Sequence, residues 1–579
     1  MRLINSETMM LEEFIDGGSQ VPRYAILSHT WAEEEVTFQD FTHLKEELRH
    51  QKLGFRKIEQ TCQLAQQDGL QYAWVDTCCI DKTSSAELTE AINSMFKWYT
   101  DAAVCYAWLA DLPAGSRLSL EDPNSSFKNC RWFTRGWTLQ ELIAPKELKF
   151  YDQGWSMRGT KADLSDVISH ITKIDADVLQ NSELLYSLSI ARRMSWAATR
   201  QTTRIEDLSY CLLGIFDVNM PMLYGEGERA FGRLQEEIIR ESNDLSIFAW
   251  RAITTGQRHR GILAYNPSEF RDSASITLIN DTNFSPDFLI TNKGLRITTD
   301  VYPGQNADDD PGPSTGDLYL KTGIYPRPDT SRNYDLDGTY LMSLNCSQPD
   351  VTGGSQQIGI RFKMHGGSVY SRVRSNEFGA IEPREIAKTT ESTRSLFIKK
   401  RISSTLSIAM SRSHKNAFMF RKGFNEINVK LHDPGSPFEA TTIRPKEDWD
   451  SQRRMFLTHG DSNFTACVHL TTRTSNRNAV NGEFVVAFGK TSDTAEPWIA
   501  LDDHGGELYR QSRDLKKLRV LGISSTRRHV VLPGPQGVAP IHVYVSMEKA
   551  VVDGQEVYCI DLSYNSPQRA PLRPRALSR

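Results

Sequence analysis

Between Tyr24 and Tyr151, short apolar runs alternate with stretches whose apolar residues recur every three or four positions. The run YAILSH at 24–29 ends in small polar residues, as a buried parallel strand does where it emerges from a sheet. Leu53, Phe55, Ile58, Cys62 and Ala65 then mark one face of an amphipathic helix. LQYAWV at 70–75 predicts a second strand, followed by DTCCIDK as a polar rim loop. Ser84 stands three residues before Glu87, a capping-box pattern, and Leu88, Ile92, Met95, Phe96 and Tyr99 share one face of the helix it starts. AAVCYAWL at 102–109 predicts a third strand, Arg131 to Ala144 a helix stopped by Pro145, and Leu148 to Tyr151 a fourth strand. Such alternation implies right-handed crossovers and an α/β fold with a parallel sheet covered on both faces. Ligands of such sheets bind beyond the carboxyl ends of the strands. Ser28, His29, Asp76 and Asp81 lie near those ends.

The period then changes twice. From Leu164 to Asn243 it is helical, with a second capping-box pattern at Thr203 and Glu206, the apolar LSYCLLGIF, and an amphipathic helix from Glu228 to Arg240. After Trp250 come short alternating runs, among them SITLIND, LRITTDVY, DLYLKTGIY, IGIRFKM, EFVVAFG and IHVYVSM, separated by Gly, Pro, Asn and Asp. These predict a β-sandwich or related all-β domain. The expected boundaries are 1–155 for the α/β domain (core motifs 24–145), 156–250 for a helical extension, 251–565 for a β-rich domain, and 566–579 for a mobile Pro/Arg-rich tail. The Asp/Gly/Pro-rich loop from Pro303 to Gly316 is expected to be mobile as well.

Composition narrows the function classes. At 579 residues the chain is too long for one core. A net charge of −4 and a pI near 6.4 provide no field for nucleic acid or anionic membrane. Glu7, Glu12 and Glu13 stand where a signal peptide needs an apolar stretch, and no run is long enough to span a bilayer, so a cytoplasmic location is expected. Nine cysteines, single apart from Cys78 and Cys79, show no zinc-ligand spacing and fit reduced thiols.

The densest candidate chemistry is RWFTRGWTLQELIAP at 131–145. On a continuous helix Trp137 and Glu141, four apart, share a face, so the indole can shield the carboxylate and offer a flat surface to a ligand ring. The bland alternatives are a Glu141 that faces solvent or pairs with Arg135, and a Trp137 that is plain core beside Phe133. Ser28, His29, Thr30 and Trp31 follow the first strand, where amides and hydroxyls can hold phosphates, although no glycine-rich cradle is present. His29 can instead serve as base for Cys78 or Ser28 with Asp76 orienting it, but there is no G-x-S-x-G elbow. Asp76 can recognise a ribose or bond loop amides, and Asp81 can cap the helix entry. A metal held by His29, Cys78, Cys79 and an aspartate has no support, because adjacent cysteines seldom both ligate one zinc. Arg131 and Arg135, one turn apart, can grip a pyrophosphate or form surface ion pairs. Glu33, Glu34 and Glu35 read as a solvated loop, and YGEGERAF at 224–231 as a turn and helix entry, since it lacks the Lys and Ser/Thr of a P-loop.

Three of these blocks, YAILSHTWAEEEVTFQD, YAWVDTCCIDKTSSAELTEAINSMFKWYTDAAVCYAWLAD and RWFTRGWTLQELIAP, together resemble the motif blocks of the fungal heterokaryon incompatibility (HET) domain. RRMSWAATRQTTRIEDLSYCLLGIFDVNMPMLYGEGERAF and SIFAWR look like the region that commonly follows it. That family is distantly similar to TIR domains, in which NAD-cleaving members carry the catalytic glutamate in a W-C-x-x-E-L segment. Trp137 to Leu142 match it, with Thr138 in place of the cysteine. The resemblance therefore implies a TIR-like, flavodoxin-like parallel sheet and a role in fungal non-self recognition, innate immunity and programmed cell death. It also implies Glu141 as the catalytic group, with Ser28, His29, Trp31, Asp76, Arg135 and Trp137 lining the site. NAD would be substrate, with no cofactor or metal. Self-association through this domain and incompatibility or sensor proteins are the expected partners; nucleic acid and a membrane span are not. Cleaving the nicotinamide–ribose bond passes through an oxocarbenium-like state that a nearby carboxylate can stabilise. The alternative from another class is a non-enzymatic death-signalling adaptor acting by homotypic assembly.

Overall fold

The computed structural model describes residues 1–15, 21–116, 118, 126–253, 257–279, 287–303, 340–350, 353–365, 369–381, 393–411, 416–421, 424–426, 438–450, 453–458, 463–472, 482–491, 494–512, 514–515, 518, 528–532, 540–552 and 555–565. The chain divides into two compact units. One comprises Met1–Ile253, Leu263–Phe288 and Leu344–Ile358, and the other Thr254–Ile262, Leu289–Ser343 and Gly359–Arg579. The expected mobile tail at 566–579, the run DLYLKTGIY and the Asp/Gly/Pro-rich loop beyond Pro303 lie outside the described residues.

The first unit is built on a seven-stranded sheet. Its strands are β1 (Arg2–Asn5), β2 (Leu11–Glu13), β3 (Tyr24–His29), β4 (Tyr72–Trp74), β5 (Val104–Trp108), β6 (Leu148–Tyr151) and β7 (Met157–Thr160), in the order β2-β1-β4-β3-β5-β6-β7. The inner four, β4-β3-β5-β6, are parallel, whereas β1 runs antiparallel to β4 and β7 antiparallel to β6. Every residue of β3 is buried, which explains its unbroken apolar run: helices cover it on both faces, and neither face needs polar residues. The antiparallel edges are not visible in hydropathy, because β2 is LEE. Its Glu12 accepts hydrogen bonds from the Asn5 amide (2.9 Å) and the Tyr72 hydroxyl (2.8 Å).

The helices follow the expected periods with two exceptions. Between β3 and β4 run α1 (Phe38–His43), α2 (Glu46–Gln51) and α3 (Phe55–Gln67), the last burying Ile58, Cys62 and Ala65. The first exception is DTCC, which is not a polar rim loop. It forms α4 (Asp76–Cys79), a single turn with Thr77, Cys78 and Cys79 buried. α5 (Ser85–Asp101) starts at Ser84, whose hydroxyl accepts from the Glu87 N–H, and it packs Trp98 and Tyr99 inward. The Tyr99 hydroxyl donates to the Leu27 carbonyl at 2.9 Å and so ties α5 to the middle strand.

The second exception concerns 131–144, which is not one helix. A 3-10 turn at Arg131–Thr134 is separated from α6 (Thr138–Ile143) by an extended Arg135 (φ −77°, ψ 141°). The break has a tertiary cause. The Gly136 N–H is given to the Gln201 carbonyl (2.9 Å), and the Thr138 hydroxyl donates to Trp132 O and Arg135 O. At the other end the buried Lys161 ammonium donates to the carbonyls of Leu142 (3.2 Å), Ile143 (3.3 Å) and Pro145 (2.5 Å), satisfying groups that a helix terminus leaves open.

The following region is helical: α7 (Ser165–Thr172), α8 (Ala176–Gln180), α9 (Ile190–Ser195), α10 (Asp207–Tyr210), α11 (Leu213–Phe216) and α12 (Arg229–Glu241). The capping box expected at Thr203 and Glu206 does not form. The Glu206 carboxylate instead accepts from the N–H groups of Gly225 (2.8 Å) and Gly227 (3.0 Å), both at positive φ in the turn before α12.

In the second unit, strands Phe438–Arg444, Phe464–Thr472, Glu483–Thr491 and Thr494–Asp503 belong to one sheet, and Phe418–Phe420, Ile541–Val552 and Gln555–Asn565 to another. Phe464, Ala466, Val468 and Leu470 from the first and Phe418, Val543, Val545 and Ile560 from the second share one apolar core, while Cys467 and Val485 face a smaller one with Leu508. This is the period-two division of a strand that buries both faces. Elsewhere in this unit Gly294–Pro303 pairs antiparallel with Thr393–Ile398. All nine cysteines of the chain are buried free thiols. Among the described residues no helix is long and apolar enough to cross a membrane.

The packing of α11 on α5 is a direct test of this arrangement. A Cβ on Gly214 would lie 2.1 Å from Phe96 Cβ, so Gly214→Ala is expected to lower the stability of the first unit by about 1–3 kcal/mol in urea unfolding. An unchanged midpoint would contradict the contact.

Candidate functional site

The switch point of the parallel sheet lies between β3 and β5, where connections depart to opposite sides. Ser28 ends up there because it is the fifth residue of the central strand. Glu141 arrives from α6, and the Ser28 hydroxyl donates to its Oε2 at 2.5 Å. The Trp132 indole N–H in turn donates to Ser28 Oγ at 2.8 Å, which orients the hydroxyl proton toward the carboxyl. Trp132 and Ser28 are fully buried, and Glu141 is 7% exposed.

Burial dominates the ionisation of Glu141 and pushes it up to about 8. The Ser28 hydrogen bond opposes this, the nearby Asp76 charge adds to it, and Arg200 and Arg135 act against it. At neutral pH the carboxyl is therefore mostly protonated and ready to ionise when positive charge approaches. Such a poised group in a buried polar setting is what acid–base or cation-stabilising chemistry needs.

A second cluster forms the rim. Trp31, 46% exposed, donates its indole N–H to Asp76 Oδ2 at 2.9 Å, and the Lys82 ammonium lies 3.5 Å from the Trp31 ring centroid. Lys82 and Asp76 pair at 3.6 Å. Burial acts to raise the Asp76 carboxyl, but Lys82, His29 and Lys57 outweigh it and hold Asp76 below the usual range. His29 Nε2 is 3.8 Å from Asp76 Oδ1 and makes no hydrogen bond. Burial first, then the Lys57 and Lys82 charges, depress His29 to about 3 against the pull of Asp76.

An imidazole so depressed is a weak base, and the Ser28 hydroxyl donates to Glu141 rather than to His29, so the arrangement does not favour the acyl-transfer alternative. Cys78 is no better placed: its thiol donates to the Val75 carbonyl (3.8 Å), and burial raises it well above a normal cysteine. No group of three or more His, Cys, Asp or Glu side chains that can hold a metal ion occurs among the described residues.

The other sequence candidates disperse. Trp137 is the N-cap of α6 in helical conformation, one turn before Glu141, and its indole hydrogen-bonds Asp207. Arg135 is half-buried, reaches the Thr203 hydroxyl at 3.5 Å and acts on Glu141 only through its charge. Arg131 does not pair with Arg135 for a pyrophosphate. Its guanidinium donates to the Trp31 carbonyl at 2.6 Å. Asp81 accepts from the Thr83 N–H and hydroxyl and so shapes a turn, while Ser84 caps the helix. Glu35 is not merely solvated, because it pairs with the buried Lys57 ammonium at 2.5 Å. Hydropathy pointed to neither Trp132 nor Arg200. Trp132 was in view within RWF, but helical periodicity carries no sign of its hydrogen bond to Ser28.

Residues 24–126 match the family model described as Heterokaryon incompatibility protein (HET), and residues 229–278 match one described as a domain of unknown function (DUF8212). Over 232 residues, 39% of this chain, the sequence is 47% identical to Vegetative incompatibility protein HET-E-1 of Podospora anserina. The match spans 17% of that relative's length. The N-terminal part of the chain is thus similar to the HET family, and the matched family segment ends before Glu141.

Burial of Glu141 has a thermodynamic signature. Below pH ~4.5 the group is protonated folded and unfolded; between ~4.5 and ~8 only the unfolded chain ionises, so stability falls with rising pH by up to ~1.4 kcal/mol per unit and levels off above ~8. Glu141→Gln removes this slope. Urea unfolding of the N-terminal unit within the full chain should show the wild type losing ground to E141Q from pH 5 to 8. A pH-independent difference would mean that the carboxyl is not raised.

Proposed function

We propose, from the premise that residues 24–126 form a heterokaryon incompatibility domain, that the protein acts in fungal non-self recognition and triggers cell death by cleaving the nicotinamide–ribose bond of NAD in the cytoplasm. The observation that carries this reading is the buried Trp132–Ser28–Glu141 chain at the switch point of the parallel sheet. The inner strands, numbered by their appearance in the sequence, run 2-1-3-4, the start of a flavodoxin-like order, which supports a TIR-like domain.

In this reading the approach of a pyridinium lowers the pH at which Glu141 ionises, and the carboxyl releases its proton to solvent to become the carboxylate. As the C1′–N bond breaks, its electron pair returns to the nicotinamide ring and neutralises it, and the carboxylate faces the ribosyl cation. Water then adds to C1′ and loses a proton, leaving ADP-ribose and free nicotinamide. Ser28, fixed by Trp132, orients the carboxylate, and Trp31 with Lys82 offers a stacking surface and a positive charge for the rest of the nucleotide. Because Glu141 is almost closed off from solvent in the single protomer, self-association through this domain is what opens and completes the site.

Nicotinamide release by concentrated full-length protein tests this. E141Q is expected to release it at least about a hundredfold more slowly than wild type. The wild-type rate should rise by up to about tenfold per pH unit toward pH ~8, as the carboxylate fraction grows. Toxicity that depends on Glu141 without nicotinamide release by the assembled wild type would favour the adaptor instead, a role to which the packing of Trp137 against Asp207 is also suited.

A further inference from the structure

Arg200 comes from the region after α9 and is 6% exposed. One of its guanidinium nitrogens, Nη1, donates to Arg135 O (2.7 Å) and Thr138 Oγ1 (3.0 Å), the two sides of the hinge from which α6 departs. The other, Nη2, is buried without a hydrogen-bond partner. The residues after it extend the same contact. The Gln201 N–H donates to Thr134 O (2.6 Å), and Gln201 O accepts from Gly136. A Cβ on Gly136 would lie 2.5 Å from Thr202 Cγ2 and 3.2 Å from Cys211 Sγ, so the hinge backbone is pressed against this segment.

A guanidinium stays charged when buried and is costly to bury without a counter-charge. Burial lowers Arg200 to about 10, and the acids that act back on it are Cys211, a raised thiol, and Glu141. The groups facing Glu141 are Ser28 from β3, Asp76 from α4, Tyr99 from α5, Cys105 from β5, Arg135 at the hinge, and Arg200 and Cys211 from the helical region. Of these only the two arginines are cations, and Arg200 is the one with a free buried donor nitrogen.

We propose that Arg200 is a positioning residue for Glu141: it ties the Arg135–Thr138 hinge to residues 200–211 and holds Nη2 in reserve as the counter-charge that receives the carboxylate when it ionises. The helical region is then part of the site rather than a separate module. The proposal rests on reading Glu141 as the working carboxylate.

The test needs no substrate. The difference in melting temperature between wild type and E141Q, followed from pH 5 to 10 in the full chain on the transition that E141Q moves, reports the midpoint of Glu141 ionisation, near pH 8 in the wild type. In an Arg200→Gln background that midpoint should rise by about one pH unit or more. In Arg200→Lys, whose single ammonium cannot serve the hinge and the carboxylate together, it should rise by less, and this variant decides the matter if R200Q does not fold. A lower melting temperature at every pH with an unmoved midpoint, in whichever variant folds, overturns the proposal and leaves Arg200 a hinge tie alone. A shifted midpoint with no nicotinamide release from any chain upholds Arg200 as the partner of Glu141 and counts only against NAD cleavage.

Discussion

The structure of the N-terminal unit turns on keeping one carboxyl group out of water. A carboxyl that titrates near 8 exists only where solvent is excluded and the hydrogen bonds it receives do not fully replace hydration. Both conditions come from the sheet. β3 is central and covered on both faces, so a serine at its carboxyl end is buried with it, and Trp132 closes the remaining side while fixing the hydroxyl proton. A Glu on a surface helix would have none of this, and its acidity would be ordinary.

Holding that group demands a helix too short to hold itself. α6 has six residues, well below the length at which helices persist alone, so its ends are fastened by other parts of the chain. Lys161, beyond β7, closes its carboxyl end through three carbonyls. The 200–201 segment fixes the hinge at its amino end. Cationic donors at a carboxyl terminus oppose the helix dipole favourably, whereas Arg200 is placed where only nearby negative charge repays its burial. The α/β sheet and the helical region after it therefore act as one structural unit around Glu141, although the matched family segment covers only part of it.

The rim residues show how closely spaced groups are driven to opposite protonation states. Asp76 remains ionised beside Lys82, and His29, less than 4 Å away, stays neutral because burial and two lysine charges outweigh one carboxylate. The ionised Asp76 also helps keep Glu141 protonated, so rim and interior are linked by charge without a shared hydrogen bond. A cation entering between them would meet one fixed negative charge and one that can be induced.

By itself the sequence determined the parallel β3-β4-β5-β6 framework, the α3 and α5 helices and the β-rich remainder, since each depends on a local period of apolar residues that burial enforces. It also brought Ser28 and Glu141 into view as candidates, through a strand end and a motif resemblance. The antiparallel edges escaped notice because an edge strand such as LEE needs few apolar side chains. The break in 131–144, the hydrogen bond from Trp132 to Ser28, and the arrival of Arg200 were decided by tertiary structure alone. Each depends on a hydrogen bond or charge between residues far apart in the chain, such as Gly136 to Gln201, and helical periodicity has no access to a partner that arrives from another part of the fold.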